Sequence, residues 1–193
     1  MNVHSYVEKS KVNGPGERFV LWTQGCSKKC INCFNYNTWS FEERESLSPI
    51  SIFEMVKNAN CNGVTITGGD PLEQPEELLE LLKLLYSLDL EKGIILFTGY
   101  TMDEINKIGG SVRECLGYID LLIDGRFENI NKISRSLRGS SNQNFFYFSD
   151  KIKEDELFFD QEVEIHLRDD ILLVTGFPQI DKKILLELGV ILD

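Results

Sequence analysis

Three cysteines fall at positions 26, 30 and 33 of the segment GCSKKCINCFN, residues 25 to 35, and only Cys61 and Cys115 occur elsewhere in the 193-residue chain. Clustered thiols can hold a soft metal, pair as disulfides or act as nucleophiles. The N-terminal stretch MNVHSYVEKSKVNGPGERFVLW has no basic head, apolar core and small-residue cleavage site, so no secretory signal is expected. The expected location is the cytoplasm, where disulfides are disfavoured, and five is an odd number. A zinc site needs a second ligand pair, and Cys61, Cys115, His4 and His166 stand isolated. An iron–sulfur cluster can instead take three thiolates from one loop and leave one iron open, so the spacing CxxxCxxC fits that chemistry better.

The elements around this loop read as an α/β chain. RFVLWTQG, residues 18 to 25, is an apolar and β-branched run after the turn signal NGPG, so the cysteines leave a strand's carboxyl end. Ser48 and Pro49 open a helix through Ile52, Phe53 and Val56; GVTITGGDP reads as a buried strand entering a Gly-Gly turn. QPEELLELLKLLYSLDL is a strong helix whose leucines spread wider than one stripe, which suggests burial between two layers. GIILFTG is another strand, a helix interrupted by Gly109 and Gly110 follows, and YIDLLIDGRF ends at Asp124. Alternation of this kind implies a parallel sheet with functional loops at its carboxyl ends. EVEIHLRDDILLVTGFP reads as paired strands around Asp169 and Asp170, and DKKILLELG as a closing helix. With no repeat or linker, residues 1–193 are expected to form a single domain.

A net charge of -11 argues against a nucleic-acid surface. The leucine-rich stretch 78 to 90 is broken by Glu80, Lys83 and Asp89, so no membrane span is expected.

The triplet Cys26, Cys30 and Cys33, followed in order by GGDP at 68 to 71, resembles the radical S-adenosylmethionine (SAM) enzymes, with Asp70 standing where glutamate is more usual. That resemblance implies an incomplete parallel (β/α) barrel and a [4Fe-4S] cluster on the three cysteines, which are then both the metal ligands and the catalytic set. The fourth iron would be chelated by the amino and carboxylate groups of SAM. One electron would cleave SAM to methionine and a 5'-deoxyadenosyl radical that abstracts hydrogen.

A narrower likeness spans about residues 14 to 143. GPGER, GCSKKCINCFN, TGGDPLEQ, FTGYT, IDGRFE and LRGSSNQ are similar, in that order, to the activating enzymes of anaerobic (class III) ribonucleotide reductase, and TGFP extends it. The implied activity is installation of a glycyl radical on the reductase large subunit, with a flavodoxin- or ferredoxin-like reductant. Carried over from the likeness, Phe34 and Asn35 would lie near the adenine, and Thr67, Gly68, Gly69 and Asp70 would hold the methionine amino group. Thr98 and Asp124 would contact SAM or a monovalent cation, and Arg126 would face the methionine carboxylate. A stand-alone radical SAM enzyme acting on a peptide or small molecule, and a zinc-binding interaction module, remain the alternatives.

Several residues also have plainer readings. Asp124 could shape a turn with Gly125, and Arg138 to Gln143 could be solvated surface, although the likeness points that loop toward a SAM or partner contact. Cys61 and Cys115 are expected to be small buried hydrophobes, and His166 to lie on the exposed polar face of its strand.

Overall fold

The computed structural model describes residues 1–160, 162–168 and 171–176. Asp169, Asp170, the end of TGFP and the DKKILLELG helix lie outside the described residues. In chain order the elements are β1 (Asn2–Ser10), β2 (Arg18–Thr23), β3 (Glu45–Ser46), α1 (Pro49–Ala59), β4 (Gly63–Gly68), α2 (Pro75–Tyr86) and β5 (Ile94–Phe97). They continue with α3 (Met102–Ile108), α4 (Gly110–Glu114), β6 (Leu121–Asp124), β7 (Asn144–Tyr147), β8 (Val163–Arg168) and β9 (Ile171–Gly176).

Seven strands form one mixed sheet in the order β3-β1-β2-β4-β5-β6-β7, and β8 pairs with β9 separately. The central β2, β4, β5 and β6 run parallel, joined by crossovers that carry the helices, as the alternating pattern requires. β1 and β7 flank them antiparallel, so the sheet is mixed, where the sequence suggested an all-parallel one. The strand β1, absent from the sequence reading, has register shifts between Val3 and Ser5 and between Val7 and Ser10. Those irregularities erase the two-residue alternation that announces a strand.

Period-two alternation sorts the central strands' side chains onto two faces. Phe19, Leu21, Val64, Ile66, Ile94 and Leu96 pack with Ile52, Val56, Leu78, Leu82 and Ile105 of the helices. On the opposite face Ile95, Leu121 and Ile123 pack with Leu137, Ile152 and Leu157 of the later loops, and Val20 and Trp22 with Val7 and Leu173. Each leucine fully buried in this way stabilises the fold by about 1.5–3 kcal/mol relative to an exposed one. The helix α2 buries Leu78, Leu79, Leu81, Leu82 and Leu85 and leaves Glu76, Glu77, Glu80 and Lys83 exposed. It therefore covers one layer and is not sandwiched between two.

Helix ends follow local chemistry. Ser48 accepts from Ser51 N–H at the start of α1, and Asn60 closes that helix in the left-handed region. Thr101 and Glu104 form a capping box on α3. Gly109, at φ 67 and ψ -151, ends α3 and starts α4, so the paired glycines mark a break between two short helices. Among the described residues no helix is long and apolar enough to cross a membrane.

One expectation is reversed in the hairpin. Ile165 and Leu167 point outward, 64% and 73% exposed, while Glu164 and His166 are half-buried. The cause is that the hairpin meets the end of β1 through polar contacts: Lys11 N–H donates to Glu164 Oε1 at 2.9 Å and Asn13 Nδ2 to Thr175 Oγ1 at 2.8 Å. Glu164 also faces His166 Nε2 at 3.3 Å.

Candidate iron–sulfur and SAM site

The loops at the carboxyl ends of β2, β4, β5 and β6 are joined by hydrogen bonds into one structure. Beyond the β2 and β4 ladder, Gly69 N–H donates to Thr23 O at 2.8 Å and Asp70 N–H to Gly25 O at 2.9 Å. The GGDP turn is thereby tied to the residue before Cys26. From the next loop, Thr98 Oγ1 donates to Asp70 Oδ1 at 2.8 Å and Gly99 N–H to Asp70 Oδ2 at 2.9 Å. Gly125 N–H then donates to Tyr100 O at 3.0 Å, and Met102 N–H to Asp124 Oδ2 at 2.7 Å.

The cysteine loop is shaped by its own backbone. Cys33 N–H donates to Cys30 O at 3.0 Å, a turn that brings their α-carbons within about 7 Å. Lys29 and Asn32 adopt left-handed φ values of 47 and 58. Asn tolerates this region, whereas Lys29 is strained there. The loop's far end returns to the sheet, with Gly25 N–H donating to Thr38 O at 2.7 Å and Cys26 N–H to Trp39 O at 3.2 Å. Asn35 Nδ2 reaches Gly68 O at 3.4 Å, while its own carbonyl accepts from Thr38.

Cys26 is buried, and Cys30 and Cys33 are half-buried. Burial pushes the Cys26 thiol above its ordinary value; the backbone N–H groups of Lys28 and Lys29 work the other way, and Asp70 and Cys33 add to the rise. Two N–H donors beside a sulfur are the protein's means of stabilising a ligating thiolate. Among the described residues no three His, Cys, Asp or Glu side chains converge where one metal ion could be held. A cubane cluster takes one thiolate per iron, and three cysteines on one loop are the number that ligates three of its irons and leaves the fourth open.

The glycines have an intramolecular reason. A Cβ on Gly68, at φ +103, would lie 2.5 Å from Thr23 N, and one on Gly69 would lie 2.3 Å from Gly25 O. Their bareness lets β4's exit press against the loop that carries Cys26. Asp70 is fully buried, accepts additionally from Leu72 N–H at 3.2 Å, and is pushed up to about 6. Burial dominates that shift; Thr98, Gly99, Lys28 and Leu72 pull against it. Thr98 is occupied on both sides, since Tyr100 N–H donates to its hydroxyl at 3.1 Å. Thr67 contributes its carbonyl to Thr23 Oγ1 at 3.2 Å.

Asp124 is buried and accepts from Met102 N–H and, at 2.9 Å, from Asn144 Nδ2. It straps β6 to α3 and β7. Arg126 extends beside Glu104, Nη2 to Oε1 2.9 Å, within electrostatic reach of Cys30 and Asp70. The Arg126 bond and the Thr101 N–H hold Glu104 down at about 2. Phe34 is half-buried beside Asn35.

Residues the sequence left unassigned complete the assembly. Gln74 accepts from Asn2 N–H at 2.6 Å and donates to the carbonyls of Asn2 and Gln24 at 3.0 Å. Gln143 donates to Gly125 O at 3.0 Å and accepts from Gly139 N–H at 2.9 Å; Asn142 Nδ2 donates to Arg126 O at 2.8 Å. The RGSSNQ loop is thus a folded buttress under DGR, and Ser140 is fully buried. Cys115 is a core thiol pushed up to about 12 by burial, and Cys61 packs partly buried against the same core.

The family model described as "4Fe-4S single cluster domain" matches residues 12–146. The anaerobic ribonucleoside-triphosphate reductase-activating protein of Enterobacteria phage T4 is 34% identical over 146 residues, covering 73% of this chain and 90% of that protein. The chain belongs to the family of anaerobic ribonucleoside-triphosphate reductase-activating proteins. Members so named from Escherichia coli (strain K12) and Pasteurella multocida (strain Pm70) are 33% and 37% identical, covering 74% and 77% of this chain and 96% and 99% of theirs. The 4Fe-4S match spans the cysteine loop, GGDP and every other strand-end loop of the site. The family assignment and the hydrogen-bonded ring of loops thus concern the same residues.

Proposed function

We propose that this chain is a radical SAM activase that installs a glycyl radical on anaerobic ribonucleotide reductase. The observation that carries the reading is the hydrogen-bonded junction of the Cys26 loop with GGDP through Gly69 and Asp70, at the carboxyl ends of the parallel strands β2 and β4. Cys26, Cys30 and Cys33 would ligate a [4Fe-4S] cluster and leave one iron for SAM. When bound, that cluster supplies the electron that cleaves SAM to methionine and a 5'-deoxyadenosyl radical.

The chain's own residues would bind and orient. The backbone of Thr67, Gly68 and Gly69 would receive the methionine amino group, with Asp70 fixing the turn from behind. Arg126 would meet the carboxylate, and Phe34 and Asn35 would border the adenine. Thr98, which donates to Asp70 and accepts from Tyr100 N–H, and Asp124, which accepts from Met102 N–H and Asn144, would act by holding the loops in register. In this reading β2, β4, β5 and β6 are the core of an incomplete (β/α) barrel of the radical SAM type, within a single domain 1–193. The partner would be the reductase large subunit, the electron source a flavodoxin- or ferredoxin-like protein, and the compartment the cytoplasm.

The test is anaerobic reconstitution followed by EPR with SAM, reductant and the reductase. A 4Fe-4S signal perturbed by SAM and a glycyl-radical signal on the reductase are expected, and replacing any one of Cys26, Cys30 and Cys33 by Ala should abolish both. SAM cleavage without a radical on the reductase would favour the stand-alone alternative and overturn this one.

A further inference from the structure

Lys28 lies between the first two cysteines, where a lysine ordinarily extends into water. Its side chain instead folds inward and is 7% exposed. The ammonium lies 3.2 Å from Glu73 Oε1, 2.9 Å from Ser27 Oγ and 3.2 Å from the centroid of the Tyr100 ring. Glu73 Oε1 also accepts from Ser27 N–H at 3.3 Å, from the Ser27 hydroxyl and from Tyr100 Oη at 3.3 Å. Three loops, those following β2, β4 and β5, therefore meet on one carboxylate and one ammonium.

The neighbouring backbone has made room for this arrangement. A Cβ on Gly99 would stand 2.9 Å from Lys28 Cγ, so the lysine stem runs across a bare glycine. Burying a lysine costs rotamer freedom and hydration, and is offset here by a carboxylate, a hydroxyl and an aromatic face. The next residue, Lys29, holds a left-handed φ of 47, a strained conformation that persists only where its surroundings fix it.

We propose that Lys28 is a positioning residue: with Glu73 and Tyr100 it pins the span between Cys26 and Cys30, so that the loop holds its cluster-receiving shape before any iron arrives. The role rests on the cluster reading above for its purpose, but the latch is a property of the metal-free chain. Glu73 belongs to the same short turn as Asp70, so the latch also keeps the thiols in register with GGDP.

Hydrogen exchange of the metal-free protein tests it, with Lys28→Met, Glu73→Gln, the double variant and Lys28→Arg. In Lys28→Met the hydrogen-bonded amides within residues 27 to 33, those of Ser27, Lys28, Lys29 and Cys33, should exchange at least about ten-fold faster, while those of β4 to β6 keep wild-type rates and report the intact core. Glu73→Gln should do the same, the double variant should be no worse than either single one, and Lys28→Arg should retain most of the protection. After reconstitution, Lys28→Met should lose iron to a chelator several-fold faster than wild type. Unchanged exchange at 27 to 33 in Lys28→Met, or additive effects in the double variant, would overturn the proposal. A wild-type chain that takes up no cluster would instead refute the function, and the exchange result would still decide the latch.

Discussion

Asp70 stands at the junction of the loops after β4 and β5, accepting from Thr98, Gly99 and Leu72 with no exposure to water. Its folded-state value, about 6, lies above the ordinary 3.8, so between those two pH values the native protein holds a proton that the unfolded chain has released. The resulting stabilisation is fully present below 3.8 and is lost as pH rises through about 6. The difference in unfolding free energy between wild type and Asp70→Asn should therefore shrink across that interval in urea titrations; a difference that grows with pH contradicts the assignment. The variant's amide would also set an N–H against Gly99 N–H, costing about 1–3 kcal/mol for a buried donor left unsatisfied. At this scale the cysteines and GGDP were legible because motif and spacing are local. Lys28 and Glu73 were not, since their meaning depends on partners 45 residues apart and a lysine pair between cysteines looks solvated.

Among the elements, the GG turn after β4 carries the tightest constraint. Gly69→Ala would place a methyl 2.3 Å from Gly25 O and force the turn away from the cysteine loop. Strain of about 1–3 kcal/mol should appear as roughly a five- to hundred-fold loss of cluster affinity, read as iron retained against a chelator. Gly109→Ala is the control: nothing lies within 4 Å of its Cβ, though φ is +67. It should cost about 1–3 kcal/mol of stability, because that φ and ψ suit only glycine, and leave iron binding unchanged. The four parallel strands and α1 to α3 were readable from hydrophobic period and caps. The bulged β1 was hidden by its broken alternation, and the β8 and β9 hairpin presented its faces in reverse because it docks through Leu173 and polar contacts to Lys11 and Asn13.

For the molecule as a whole, the opposite end of the sheet is gathered by one cation. Arg18 is fully buried and donates to Thr65 Oγ1 at 2.7 Å and to the carbonyls of Pro15, Lys92, Val64 and Gly93 between 2.6 and 2.9 Å. Burial lowers it to about 9, which leaves it charged at neutral pH. Arg18→Met would orphan these acceptors at a cost of about 3–5 kcal/mol, a midpoint lower by about 10 °C in thermal unfolding. The folded fraction should still reconstitute with normal iron content, because the cysteine loop leaves β2 at its other end. Only the three-dimensional register, which sets Arg18 of GPGER beside Gly63, explains that arginine. The latch around the thiols also sets an order of events during synthesis. Cys26, Cys30 and Cys33 leave the ribosome well before Glu73 and Tyr100, which immobilise their loop. At about 5–20 residues per second the nascent thiols spend several seconds without that support. Metal delivered in that interval meets a floppy peptide, so productive cluster insertion belongs to the chain that has already been made past Tyr100.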